Sequence, residues 1–175
     1  MKVVILAGGF GTRLSEYTKS IPKPMIKINN DPIIVHIMKH YYKYGFKNFY
    51  VALGYKGYVI RDYFKKKKFP WKVNLINTGL KTMTGGRVKR LKKYLKKDTF
   101  LLTYGDGLSS INLDKLVKFH KKKKRLVTIT AVRPPARFGF IKINNDFVCY
   151  FKEKSQVDSG WINGGFFVIE PSFFN

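Results

Sequence analysis

At 175 residues, with 45% hydrophobic and 16% aromatic content, the chain has apolar side chains enough for one domain with a real core and too many for a disordered segment. Its 35 lysines and arginines stand against 10 acidic residues, and the net charge of +25 raises nucleic acid or an anionic membrane as partners. No apolar run approaches the roughly 20 residues of a membrane helix, the start lacks a signal-peptide layout, and the single Cys149 excludes an internal disulfide and an all-cysteine metal site, so a cytoplasmic protein without membrane contact is expected.

The first predicted element is a buried strand from Val3 to Ala7, branched and without polar alternation. Leu6 and Ala7 lead directly into Gly8, Gly9, Phe10, Gly11, Thr12 and Arg13. Glycines at 8, 9 and 11 let the backbone turn sharply and admit a ligand closely. Amide groups converging in such a loop suit phosphate oxygens. Thr12 adds a hydroxyl donor, and Arg13 a guanidinium fork that matches phosphate geometry. A dinucleotide fingerprint is not supported, because Leu14 stands where its third glycine belongs; nor does the Gly-Lys-Ser/Thr of a P-loop follow. In Pro22-Lys23-Pro24, two prolines hold a lysine on a stiff segment.

Asp31-Pro32 predicts a helix start, continued by Ile33, Ile34, Ile37, Met38 and Tyr41 as far as Gly45. Phe49 to Leu53 predicts a second buried strand, and Val59, Ile60, Tyr63 and Phe64 a second helix. Trp71 to Ile76 alternates as a third strand does. A glycine-rich loop containing Thr82, Gly85, Gly86 and Arg87 then precedes a helix predicted from Val88 to Leu95. Phe100 to Tyr104 reads as the central strand, ending in Gly105-Asp106-Gly107. A helix over Leu113 to His120, a strand over Leu126 to Val132, paired strands at 137–141 and 147–151, and a last strand from Trp161 to Ile169 complete the order. The alternation predicts an α/β fold in one domain spanning residues 1–175. The lysine runs at 65–68, 92–97 and 121–124 fall in loops or at helix ends, and no nucleic-acid-binding pattern accompanies them. They read as solvated surface, with a nucleic-acid role as the lesser reading.

An aspartate just past the C-terminal end of a central strand sits where open α/β sheets bind ligands. Asp106 alone would be a turn acceptor. Beside a phosphate-binding loop in the same sheet it becomes a candidate Mg²⁺ ligand, since magnesium takes carboxylate and phosphate oxygens and keeps several waters. His36, His40 and His120 lie in predicted helices away from these motifs and are expected to be structural.

Gly-Gly-x-Gly-Thr-Arg-Leu (residues 8–14) with Pro-Lys-Pro-Met (22–25) resembles the sugar-phosphate nucleotidyltransferases. That resemblance implies a Rossmann-like three-layer sandwich with a mixed, mostly parallel central sheet, of the nucleotide-diphospho-sugar transferase type. It implies that residues 6–13 and Gly105 bind the nucleotide, and that Arg13, Lys23 and magnesium-bound Asp106 are catalytic. It also assigns Gly139, Glu153, Lys154 and Asn163 to the sugar phosphate, with Ser155 standing where the Glu-Lys-Pro motif has proline. The segments at 55–60, 82–87, 138–139 and 161–167 are similar to the branch that joins CTP to glucose 1-phosphate for surface-polysaccharide sugar synthesis, and place Thr82 and Arg87 near the cytidine nucleotide. Two departures are expected to matter: only residues 65–70 fill a gap where the branch has an extra segment, and relatives continue past Glu170-Pro171-Ser172 with a second metal-binding aspartate and subunit contacts. A C-terminally short catalytic domain, a nucleotide-binding remnant, a transferase for UTP or dTTP, and a homo-oligomer therefore stay open.

Overall fold

Val3, Val4 and Ile5 are all fully buried because the first strand has neighbours on both edges and layers on both faces. The structure, a computed structural model, describes residues 1–11, 20–134, 140–152 and 160–175. Its elements run β1 (Lys2–Ala7), β2 (Lys27–Ile28), β3 (Asp31–Pro32), α1 (Ile33–Lys43), β4 (Asn48–Leu53), α2 (Gly57–Lys66), β5 (Lys72–Asn77), α3 (Thr84–Arg90) and α4 (Lys92–Leu95). They continue as β6 (Phe100–Tyr104), α5 (Leu113–Lys123), β7 (Val127–Val132), β8 (Phe140–Asn144), β9 (Phe147–Lys152) and β10 (Ile162–Ile169). The chain falls into two compact units, Met1–Thr128 with Gly165–Asn175, and Ile129–Gly164; β7 and β10 run from one into the other.

The sheet order is β5-β4-β1-β6-β10-β7. β1 pairs in parallel with β4 and β6, and β4 with β5, whereas β10 is antiparallel to β6. Alternation along the strands feeds two cores. Val3, Ile5, Phe49, Val51 and Leu101 pack with α1, Ile60 of α2 and Leu113 of α5. Val4, Ala52, Phe100 and Leu102 face the opposite way and pack with Val88, Leu91 and Leu95. This is the three-layer, mostly parallel architecture expected. Because four strands are parallel, β1, β4, β5 and β6 all end on one edge, where the loops that could hold a ligand gather.

The residues predicted as one helix from Val88 to Leu95 instead form α3 and α4, with Leu91 as the cap residue between them. Val88, Leu91 and Leu95 nevertheless share one buried face, so the break costs no core contact. Asp31 does not cap α1; Asp31 and Pro32 pair with β2, and Pro32 is the last extended residue before the helix. Gly45, at φ +80°, follows the end of α1 in the left-handed conformation glycine supplies at helix ends. In the second unit, β8 and β9 form a hairpin turned by Asn145 and Asp146, both at positive φ. No helix of the described residues is long and apolar enough to cross a membrane.

The histidines are occupied by the fold. His120 is buried, with Nδ1 2.8 Å from Thr128 Oγ1 and Nε2 2.8 Å from Glu170 Oε1, while Thr99 donates to the other Glu170 oxygen. His40 packs edge-on against Tyr41, Tyr44 and Phe166. Burial holds its imidazole below the ordinary value and Lys43 adds to this, against a backbone hydrogen bond to Ile111. The unfolded chain therefore takes up this proton at higher pH than the folded one. The His40 contribution is complete above the ordinary histidine value and declines as pH falls from there towards the folded value. His40→Phe, which keeps the ring contacts, is expected to gain on the wild type as pH is lowered from 8 to 5. Urea midpoints of both proteins across that range check this, and parallel curves would refute it.

Candidate active site

The edge where the parallel strands end carries a pocket of about 500 Å³. Residues 6–11 supply one wall, continuing β1 out of the sheet. Lys23 and Pro24 come from a 3-10 turn (Lys23–Met25). Tyr104, Gly105 and Asp106 come from the end of β6, residues 80–83 from the segment entering α3, and Thr84 and Arg87 from α3 itself. Every described residue that the sequence assigned to the nucleotide thus lines one concavity. Thr12 and Arg13 lie outside the described residues, as do Gly139, Glu153 and Lys154. Asn163 is described, exposed on β10 in the second unit.

Local packing explains how the chemistry-bearing groups are held. The Gly105 amide donates to the Leu6 carbonyl at 2.9 Å, prolonging the β1–β6 pairing by one rung. A Cβ at Gly105 would stand 2.9 Å from that carbonyl and 3.0 Å from the Pro24 ring, so only glycine lets the two strand ends and the Pro-Lys-Pro segment meet. The next residue, Asp106, accepts an ion pair from Lys23 Nζ at 2.6 Å, with both side chains about a third exposed. Lys23 and Asp106, 83 positions apart in the sequence, are therefore in direct contact at the pocket. Gly9, which also lines the pocket, has nothing within 4 Å of where a Cβ would be, and neither has Gly107, the residue after Asp106.

Arg87, expected near the cytidine nucleotide, lines the pocket from a nearly buried position. It is 5% exposed. Its Nη1 donates to Thr78 Oγ1 and to the carbonyls of Gly79 and Leu53, and its Nη2 to the carbonyls of Gly8 and Leu80. Burial lowers its pKa from the usual arginine value, and the nearby Arg90 lowers it further. The terminal nitrogens thus point into the protein, though the side chain still lines the pocket.

Several lining residues were not foreseen. Leu80 and Met83 are 50% and 82% exposed apolar side chains lining the pocket, beside the expected Phe10, which is 46% exposed with its ring 5.3 Å from that of Tyr55. The signal available in sequence was the placing of leucine and methionine in an otherwise polar, glycine-rich loop. Apolar rims of this kind suit a planar base, as the amide-lined loop suits phosphates.

The sequence model of the nucleotidyl transferase family matches residues 2–175. Glucose-1-phosphate cytidylyltransferase of Salmonella typhimurium is 46% identical over 98% of this chain and 76% of its own length. D-glycero-alpha-D-manno-heptose 1-phosphate guanylyltransferase of Campylobacter jejuni is 35% identical, covering 100% of this chain and 78% of its own. The crystal structure of HddC from Yersinia pseudotuberculosis complexed with GMP-PN superposes with a TM-score of 0.74 at 30% identity, covering 99% of this chain and 78% of that one. With its loop, its lysine and its aspartate gathered at one pocket, the chain belongs to the nucleotidyl transferase family.

Proposed function

We propose that the chain transfers a cytidylyl group from CTP to glucose 1-phosphate, giving CDP-glucose and pyrophosphate. The observation that carries the reading is the convergence of the glycine loop, Lys23, Thr82 and Asp106 on one pocket, in a chain 46% identical to a glucose-1-phosphate cytidylyltransferase. A phosphate oxygen of the sugar phosphate attacks the α-phosphorus of CTP, and the bond to the pyrophosphate oxygen breaks in line. Both reactants are anions, so the work of the protein is to offset repulsion and align them. No general base is required, because the attacking phosphate is already ionised at neutral pH. The amides of residues 8–11 cradle the triphosphate, and Lys23 neutralises charge on the transferring phosphoryl group. Arg13 has the residue type for the same task, and Glu153, Lys154, Asn163 and Gly139 are proposed for the sugar phosphate.

Magnesium fits the residues present. Asp106 already accepts a cation, the Lys23 ammonium, and the space beside Gly107 is open. No cluster of three acidic, histidine or cysteine ligands occurs among the described residues, which suits an ion that shares one carboxylate with substrate phosphates. Held by Asp106, it would supply neutralisation of the phosphate charge.

The test is pyrophosphate release from CTP, UTP, dTTP, GTP and ATP, each with glucose 1-phosphate and with heptose and mannose 1-phosphates. Release is expected with CTP and glucose 1-phosphate far above every other pair. Preference for GTP with a heptose phosphate would overturn the base and sugar assignment. CTP binding without any release would replace the enzyme with a binding protein.

A further inference from the structure

A second cavity, of about 910 Å³, opens on the edge of the sheet where the parallel strands begin. Lys2 starts β1, Asn48 and Lys72 start β4 and β5, and residues 97–99 lead into β6. The cavity lies wholly within the first unit and shares no lining residue with the pocket described above. Lys2 and Ala7 are the two ends of β1, so roughly 17 Å of strand separates the two hollows. Five of the twelve lining residues are lysines, against two carboxylates. Both carboxylates are already engaged by the protein. Asp98 accepts from Lys2 Nζ at 3.2 Å, and the Glu170 oxygens are held by His120 Nε2 and Thr99 Oγ1, each at 2.8 Å. Lys2 is occupied in turn, donating also to the Tyr94 carbonyl at 2.8 Å. Lys47, Lys72, Lys97 and Lys121 form no ion pair among the described residues. The fold sets these ammonium groups around one hollow: the Lys72 amide donates to the Lys47 carbonyl at 2.8 Å, and Lys121 arrives from α5. Cations gathered in a cleft repel one another, and the low-dielectric walls focus their field outward on an anion.

We propose that this cavity is a second anion site, which takes a compact polyanion bearing two or more phosphate groups on Lys47, Lys72, Lys97 and Lys121. Its volume is that of a small-molecule site, which typically spans about 300–1,000 Å³. No aromatic side chain lines it among the described residues, so it has no platform on which a base could stack, as sites for single-stranded nucleic acid do. An ammonium is a point charge with three rotatable donors and sets no fixed fork for a phosphate to match. The site therefore reads the number and spacing of negative charges, not a base or a sugar. Lys97 and Lys121 come from lysine runs that in sequence read as solvated surface. Folding brings them beside lysines from the starts of two other strands, which no local pattern announces. The proposal does not depend on the nucleotidyltransferase reading, because none of these residues belongs to the first pocket.

Inorganic tripolyphosphate is the probe, titrated by calorimetry in physiological salt, where diffuse charge is screened beyond about 8 Å. The wild type is compared with a cavity variant combining Lys47→Gln, Lys72→Gln, Lys97→Gln and Lys121→Gln. A control combining Lys65→Gln, Lys66→Gln, Lys67→Gln and Lys68→Gln loses the same charge from an exposed run outside both hollows. All eight side chains are exposed, so urea midpoints are expected to stay near that of the wild type. The cavity variant is expected to lose one binding event, its affinity falling at least about tenfold as four weak ion pairs go together, while the control stays within about twofold of the wild type. Any binding at the glycine loop is common to all three proteins and cancels from the comparison. Where the cavity variant does not fold, acetylation of wild-type lysines read by mass spectrometry serves instead, with tripolyphosphate expected to protect the four cavity lysines and not Lys65 to Lys68. Equal weakening in both variants, or equal protection of both sets, would overturn the proposal and assign the binding to the overall charge of +25. An unchanged titration in the cavity variant would overturn it as well. A thymidylate 20-mer held by the same four lysines more tightly than tripolyphosphate would replace the compact ligand with a nucleic-acid strand.

Discussion

Lys23→Ala is expected to lower turnover by about 10²–10³ while tightening the binding of a divalent cation to the nucleotide-free protein. The first effect follows from the charge that the transition state spreads over the phosphoryl oxygens. Removing one preorganised donor at such a site costs about 3–4 kcal/mol of barrier. The fold has much less at stake. Packing in this turn comes from Pro24 and Met25, both buried, whereas Lys23 reaches outward to a partner about a third exposed. A pair of that exposure contributes about 1 kcal/mol or less. The second effect has the opposite sign because Lys23 Nζ, 2.6 Å from Asp106, occupies the carboxylate a metal would use. With the ammonium gone, the aspartate is released from its internal cation. Manganese binding followed by electron paramagnetic resonance, beside steady-state turnover and a urea midpoint, checks all three quantities. A variant with near-normal turnover would remove Lys23 from the mechanism. Weakened manganese binding would mean that the ammonium assists the cation site and does not compete for it.

Much of this was legible because the chemistry is carried by local patterns. The runs at Val3–Ala7, Phe49–Leu53 and Phe100–Tyr104 are buried on both faces and so appear in sequence as unbroken apolar stretches. Gly45 marked a helix end because only a positive φ fits there. The glycine loop and Asp106 could be placed at one edge once the strands were taken as parallel. The pairing of Lys23 with Asp106 could not, since nothing local specifies which rung of β6 meets the Pro-Lys-Pro turn. Arg87 shows the other limit. The glycine at 8 reads as room for a ligand or a sharp turn, yet that room is filled by a side chain from far along the chain. Gly9, with open space around it, is the position where the ligand reading of the loop keeps its force. The division at Leu91 was likewise hidden, because Val88, Leu91 and Leu95 keep helical spacing whether or not the backbone hydrogen bonds run through.

Phe166→Ala is expected to cost about 3–5 kcal/mol of stability, as truncation of a fully buried aromatic does, against a total of roughly 5–15 kcal/mol for a domain. Phe166 is 2% exposed, its ring stacked on Tyr41 at 6.0 Å and edge-on to His40 at 6.2 Å. It sits opposite Thr103 in the antiparallel β10–β6 pair, directly beside the strand that ends at Asp106. The strand enters this pairing through Gly165, at φ +81°, where a Cβ would press on the Tyr104 ring at 3.0 Å. Its neighbour Phe167 points to the other face, half-buried and edge-on to Tyr104, and supplies an internal control. Urea denaturation should show a lowered midpoint with little change in slope for Phe166→Ala, and a clearly smaller shift for Phe167→Ala. Equal shifts would mean that β10 is held by its hydrogen bonds to β6 and not by the aromatic core beneath α1. A larger shift for Phe166 would place the support of the Asp106 strand in the layer formed by Tyr41, Phe49 and Leu101, on the face of the sheet opposite the one that Val88, Leu91 and Leu95 cover.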